Sequence, residues 1–187
     1  NNFIFVNEKG EVKNFPVKES AMARKLIYQE SSNSFVMVFK GADEKQQYMV
    51  TENISVTGIN ILGDILWHQD LAVAGTLEDI ITVRDGYIIT GNFSAIKTQD
   101  GQEFRTRIGN GQSNPYLIKM RLRGEIVKIL PVVSSKSIYI DKVVKVNDGS
   151  INLIGRESPF PANDEAITGN LMHMMTTFEQ KSICSNF

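Results

Sequence analysis

Four segments of this chain share one layout: a short apolar run, a turn, and a second apolar run. They cover residues 3–12, 56–65, 117–126 and 174–183. Gly10, Gly63 and Gly124 fall in register, 53 and then 61 residues apart, each followed by an acid and then an aliphatic residue. A glycine there supplies the positive φ that a tight hairpin needs. In the fourth copy Lys181 takes its place, so that turn must differ. A chain built this way is committed to antiparallel hairpins, and repeats of this length point to stacked units.

A second hairpin type alternates with the first. Residues 79–91 and 142–155 each place Asp-Gly between runs rich in aliphatic residues, at Asp85-Gly86 and Asp148-Gly149, and residues 25–41 form a looser copy turning around Ser31-Ser32-Asn33-Ser34. Asp-Gly in that setting predicts a two-residue turn with positive φ at the glycine. The count is seven hairpins, beginning and ending with the same type. Residues 95–107 add a smaller hairpin around Asp100-Gly101, and residues 109–115 read as a loop. Residues 19–29 fit a helical period poorly and are read as a strand. The repeat units are residues 1–17 (a half), 18–71, 72–133 and 134–187.

The fold class expected is therefore all-β: antiparallel β-propeller-like blades in about three and a half repeats. The alternative is a β-trefoil, which closes with three repeats of four strands. Residues 79–91, followed by Tyr116-Leu117-Ile118-Lys119 and Gly124-Glu125-Ile126, resemble the blade repeat of a bacterial propeller family. Gly63-Asp64-Ile65-Leu66-Trp67 looks like the end of that family's second hairpin, tryptophan included. Ser150 and Lys128 stand where the family pattern has tyrosine and tryptophan. The resemblance implies an extracytoplasmic protein of Bacteroidetes-like bacteria: periplasmic, surface-bound or secreted.

Composition removes several function classes. The formal charge is −1, from 20 Lys and Arg against 21 Asp and Glu, which gives no basic footprint for nucleic acid. The apolar runs are a few residues long, so no membrane-spanning helix is expected. One cysteine, Cys184, rules out an internal disulfide and a multi-thiolate metal site, and two histidines rule out a histidine-rich centre. The first residues, Asn1-Asn2, carry no signal-peptide pattern and no initiator methionine, which suggests a removed leader or a segment of a longer chain.

Individual residues propose little chemistry. His68 follows Trp67 with no nucleophile beside it in sequence, and reads as a strand-edge histidine. Met172-His173-Met174-Met175 has the ligand types of a Cu(I) site, but strand alternation splits them between two faces. The Asp-Gly turns lack the clustered oxygens calcium requires. Gly109-Asn110-Gly111, with Arg105 and Arg107 nearby, could present donors to an anion, yet no strand-then-helix context accompanies it. Cys184 occupies the column of Val127 and reads as a buried thiol. Asn53-Ile54-Ser55 and Asn92-Phe93-Ser94 fit the glycosylation pattern, which carries no meaning in a bacterial protein.

The function expected is that of a non-enzymatic interaction or scaffold module, with no cofactor and no metal, because every strong signal serves strand pairing. One alternative is a carbohydrate-binding module that presents Trp67, Tyr87 and Tyr116 on one open surface; candidate binding residues are Trp67, Arg105, Arg107 and Tyr116. The other is an enzyme whose site is assembled at the propeller axis from several blades. Expected partners are a protein or glycan ligand, or a second copy meeting the open ends of the stack. Val12, Ile65 and Ile126 are expected to be buried equivalents. Pairing of residues 3–6 with C-terminal strands would indicate ring closure.

Overall fold

The computed structural model describes residues 2–6, 9–16, 21–41, 53–106, 114–134, 137–145, 150–158, 170–176 and 183–184. The fold is all-β and antiparallel, apart from one parallel two-residue pairing. β1 (Asn2–Val6) and β2 (Val12–Pro16) form an N-terminal hairpin. β3 (Ala21–Gln29), β4 (Ser34–Gly41), β5 (Asn53–Asn60) and β6 (Ile65–Leu71) make a first sheet in sequence order. β7 (Val73–Val83), β8 (Gly86–Lys97), β10 (Asn114–Arg121) and β11 (Ile126–Val133) make the central sheet in the same order, and β9 (Glu103–Arg105) extends β8. β12 (Ser137–Lys145), β13 (Ile151–Ser158) and β14 (Asn170–Thr176) make a third. β15 (Ile183–Cys184) pairs in parallel with Val132 and Val133 of β11.

The central sheet is apolar on both faces, which explains its unbroken runs Tyr87-Ile88-Ile89 and Tyr116-Leu117-Ile118. Ile80, Tyr87, Ile89, Ile118, Met120 and Ile129 meet Ile27, Val36, Val38, Val56 and Trp67 of the first sheet. On the other face Ile81, Ile88, Leu117 and Leu130 meet Ile138, Ile140, Val143, Ile151 and Leu153 of the third sheet. The sheets thus stack first, central, third, and their opening strands β3, β7 and β12 run as neighbours.

The glycine turns superimpose in detail. The amide of Asn60 donates to the Asp64 carbonyl at 3.0 Å and that of Gly63 to the Asn60 carbonyl at 2.9 Å; Arg121 and Gly124 repeat this at 2.8 and 3.0 Å, and Thr98 and Gly101 at 2.8 and 3.0 Å. Gly10, Gly63, Gly101 and Gly124 have φ of +76°, +84°, +87° and +83°. A one-residue register shift beside the turn recurs too, at Gly58/Ile59 and at Lys119/Met120.

Three expectations require correction. Val12 and Ile65 are 61% and 58% exposed and Ile126 is half-buried, so their shared column is one of turn geometry and not of burial. The column lies at the sheet ends, where only the central sheet has neighbours on both sides. The two turn residues of the β7–β8 hairpin are Arg84 and Asp85, and Gly86 is already paired with Val83. Gly86 is needed for a close approach: a Cβ there would lie 1.9 Å from the Met120 carbonyl oxygen. Cys184 does not close a fourth glycine-type hairpin against β14, since its strand joins β11. Asp148-Gly149 falls outside the described residues. Among those residues β1 pairs only with β2, and no closed barrel forms.

Trp67 ties the first sheet to the central one. It stands opposite Gly58, and its indole fills the space a side chain would take there and at Gly124: a Cβ on either glycine would come within 2.3 Å of the ring. We expect Gly124→Val to cost about 3 kcal/mol in urea unfolding, from left-handed backbone strain plus overpacking against the indole. Gly101→Val, with the same φ and open space around it, should cost only the backbone part of about 1–2 kcal/mol. Equal losses would remove the indole from the explanation.

Candidate functional site at the strand bulges

Each opening strand carries one β-bulge, and all three occupy the same repeat column. The ladder skips Arg24 between Ala23 and Lys25, Glu78 between Leu77 and Asp79, and Asp141 between Ile140 and Lys142. The local sequences share a form: Arg24-Lys25-Leu26-Ile27, Glu78-Asp79-Ile80-Ile81 and Asp141-Lys142-Val143-Val144, two charged residues followed by two aliphatic ones. An extra residue breaks the ladder and leaves backbone amides to be satisfied elsewhere.

Asp79 supplies that satisfaction. It is 5% exposed, and its carboxylate accepts hydrogen bonds from the Ile80 amide at 3.0 Å, from the Val143 amide of the third sheet at 3.1 Å, and from the Lys25 ammonium of the first. One side chain therefore bonds all three sheets. Asn92 acts beside it: its Oδ1 accepts from the Ile140 amide at 2.9 Å while its Nδ2 faces the Ile140 carbonyl at 3.4 Å. The two residues bracket the bulge in β12. Tyr116 donates its hydroxyl to the Thr76 carbonyl at 3.1 Å and lies fully buried; burial, reinforced by the charge of Glu78, pushes its hydroxyl far above the ordinary tyrosine value. Thr90 donates to the Tyr116 carbonyl at 2.7 Å. Chemically this is a saturated network that holds backbone in place. Asp79 has a donor on each oxygen, and Tyr116 is held protonated.

The structure distributes the sequence-derived candidates without bringing them together. Tyr87 and Tyr116 are 0% exposed and Trp67 is half-buried with its ring centroid 6.1 Å from that of Tyr87. These three rings lie between the first and central sheets and form no open aromatic platform. Arg105 is exposed on β9 and bonded to Glu103 two residues away, at 2.7 Å from Nε and 2.6 Å from Nη2. Arg107 and the loop with Gly109-Asn110-Gly111 lie outside the described residues. His173 pairs with Ile154 and Met174 with Leu153 in the ladder. Asn92, in a glycosylation triplet, is buried and committed to Ile140.

His68 has neighbours its sequence context did not reveal. Thr57, directly across the ladder, places Oγ1 2.9 Å from Nδ1, and Asp70 places Oδ1 3.2 Å from Nε2. Hydroxyl, imidazole and carboxylate are in the order of a nucleophile relay, but Thr57 is 5% exposed and closed to a substrate. The trio is a cross-strand polar row. Among the described residues no three of His, Cys, Asp and Glu gather where they could hold a metal, and no helix is long and apolar enough to cross a membrane. A groove of 440 Å³ lies between the hairpin tips at residues 28–31 and 82–84, and another of 320 Å³ is lined by residues 71–74, 95–97 and Glu103. The first brings Glu30 and Arg84 together from different repeats; neither contains a histidine.

The chain matches no protein-family model and no curated protein sequence.

Asp79→Ala leaves the Val143 amide buried without its acceptor and frees Lys25. We expect a loss of about 2–4 kcal/mol in urea unfolding, since each stranded buried donor costs about 1–3 kcal/mol. Lys25→Met, at a partly exposed ammonium, should cost about 1 kcal/mol or less. Were the lysine change as costly as the aspartate change, the ion pair and not the amide would be the tie.

Proposed function

We propose that this chain is a non-enzymatic interaction or scaffold module built of β-propeller-type blades. The observation that carries the reading is the bulge column: the buried polar side chains Asp79, Asn92, Thr90 and Tyr116 are bonded to backbone and leave no reactive group free. Antiparallel sheets with strands in sequence order, stacked face to face with opening strands adjacent, support the blade reading over a trefoil, whose strands close a barrel. The extracytoplasmic, bacterial setting rests on the resemblance of the hairpins alone.

Two rival readings remain testable beside it. A carbohydrate-binding module would have to use surfaces other than the three buried rings, and the groove with Glu30 and Arg84 is the best polar candidate. An axial enzyme would need groups beyond those bound up at the bulges. A glycan array and a metabolite thermal-shift screen, with hydrolysis of chromogenic esters and glycosides measured in parallel, separate the three. The proposal expects no turnover and no saturable glycan or metabolite shift. A shift abolished by Arg84→Ala would favour the sugar-binding module, and turnover abolished by a substitution near the bulges would favour the enzyme.

A further inference from the structure

The opening hairpins of the first and central sheets end in turns of different length. Ile27 pairs with Val36 where its repeat equivalent Ile81 pairs with Ile88, so the β3–β4 turn is two residues longer than the β7–β8 turn. The longer turn holds the 3-10 segment Glu30–Ser32, closed by Asn33 in the left-handed region. Polar contacts fix it. The Gln29 amide donates to Ser31 Oγ at 2.9 Å, the hydroxyls of Ser32 and Ser34 lie 2.7 Å apart, and Tyr28 donates its hydroxyl to Asn33 at 2.7 Å. The buried hydroxyl of Tyr87 in the central sheet faces the same two serines. The longer turn therefore stands as a fixed wall beside the shorter one, and the 440 Å³ groove lies between them.

Two charges of opposite sign line this groove, and the fold uses neither. Glu30 on the longer turn and Arg84 on the shorter are exposed, and among the described residues neither side chain has a hydrogen bond or ion pair. The residue beside Arg84 is engaged elsewhere: Asp85 binds Lys119, and the cations that hold its carboxyl low are Lys119 and Arg121. The same groove presents Val83 and the ring of Tyr28, which is 49% exposed and packed against Phe35 with centroids 5.3 Å apart. Ser31 and Thr82 add a hydroxyl on either wall.

An occupant complementary to these walls carries a cation, an apolar group and an anion. A small zwitterion has the two charges, but an open groove leaves much of it in water, whereas small-molecule sites cover most of their ligand. A peptide segment brings two charged side chains, an apolar one, and a backbone for the hydroxyls of Ser31 and Thr82. We propose that this groove docks a partner protein through a peptide segment with a basic side chain at Glu30 and an acidic one at Arg84. The proposal rests on the module reading above and adds the chemistry of the partner. Charges of both signs also fix the direction of the segment, since reversing it sets like charge against like.

An array of synthetic peptides tests this, each with one lysine and one aspartate flanking leucine or tyrosine, in both orders and at increasing separations. Control peptides carry two lysines, two aspartates or no charge. The intact chain should prefer mixed-charge peptides of one order, binding them about tenfold more tightly than the controls in fluorescence polarisation at low salt. Glu30→Ala and Arg84→Ala should each remove most of that preference, and Arg123→Ala, at an exposed arginine outside the groove, should leave it intact. The exchange variant Glu30→Arg with Arg84→Glu should bind again, but to peptides of the reversed order, which non-specific binding cannot give. Far-UV circular dichroism confirms that each variant is folded. No selective peptide, binding indifferent to Glu30→Ala, or an exchange variant that keeps the original order would overturn the proposal, as would a glycan shift abolished by Arg84→Ala. If the peptides fail while the screen for turnover and glycans stays clean, the module reading stands without this groove; turnover in that screen sinks the module reading instead.

Discussion

The carboxylate of Asp79 is the point at which three sheets become one structure. Apolar faces bring sheets together without fixing how far one slides along another, because burial is non-directional. Hydrogen bonds to the amides of Ile80 and Val143 are directional, and they set the central sheet against β12 to within a fraction of a residue. The bulge makes this arrangement possible. By taking Asp141 out of the ladder, β12 exposes backbone groups at Ile140 and Val143 that Asn92 and Asp79 can reach. A regular strand would have spent those amides on its own neighbours or pointed them elsewhere. The cost of burying a charge is met by two amides and the Lys25 ammonium, which is why a lone aspartate is tolerated in a packed interface.

The same node shows how, among the described residues, densely placed polar side chains are taken up as partners of the backbone. Catalysis needs a polar group whose partners change during a reaction, and these have fixed backbone partners. In the row of Thr57, His68 and Asp70, His68 and Asp70 lie at the surface and the hydroxyl-bearing Thr57 is the buried member. Accessibility and polarity are thus divided between different residues of the same sheet.

Hairpins, their two alternating types and the glycine turns were legible from residues alone, because a positive φ and a close backbone approach leave few residue types available. The turn geometry at Gly63, Gly101 and Gly124 repeats bond for bond. Burial at Val12 and Ile65 was not legible, for the physical reason that it depends on whether a neighbouring sheet is present and not on the residue's own column. The rings of Trp67, Tyr87 and Tyr116 fit a binding surface and a sheet interface equally well by type; only stacking decides. The bulge column had a visible signal in the recurring pair of charged residues before two aliphatic ones, 54 and then 63 residues apart. Strand alternation treats adjacent charged residues as one inward and one outward, so the pattern looks like a misplaced charge until the extra ladder residue is known.

The glycine column and the tryptophan column are linked across repeats by the same stacking. Trp67 belongs to the first sheet, yet the glycine that receives its ring most closely outside that sheet is Gly124, in the turn of the next. Lys128 occupies the tryptophan position of the central sheet: it pairs with Lys119 as Trp67 pairs with Gly58. Gly58, whose missing side chain makes the other half of the slot, is matched by Lys119, whose ammonium instead binds Asp85 at 2.9 Å. That contact holds the Asp85 carboxyl below the usual carboxylate range, the expected consequence of exchanging an apolar slot for an ion pair. The tryptophan position is thus filled by an aromatic contact between the first and central sheets in one repeat, while in the next the matching strand carries an ion pair within the central sheet.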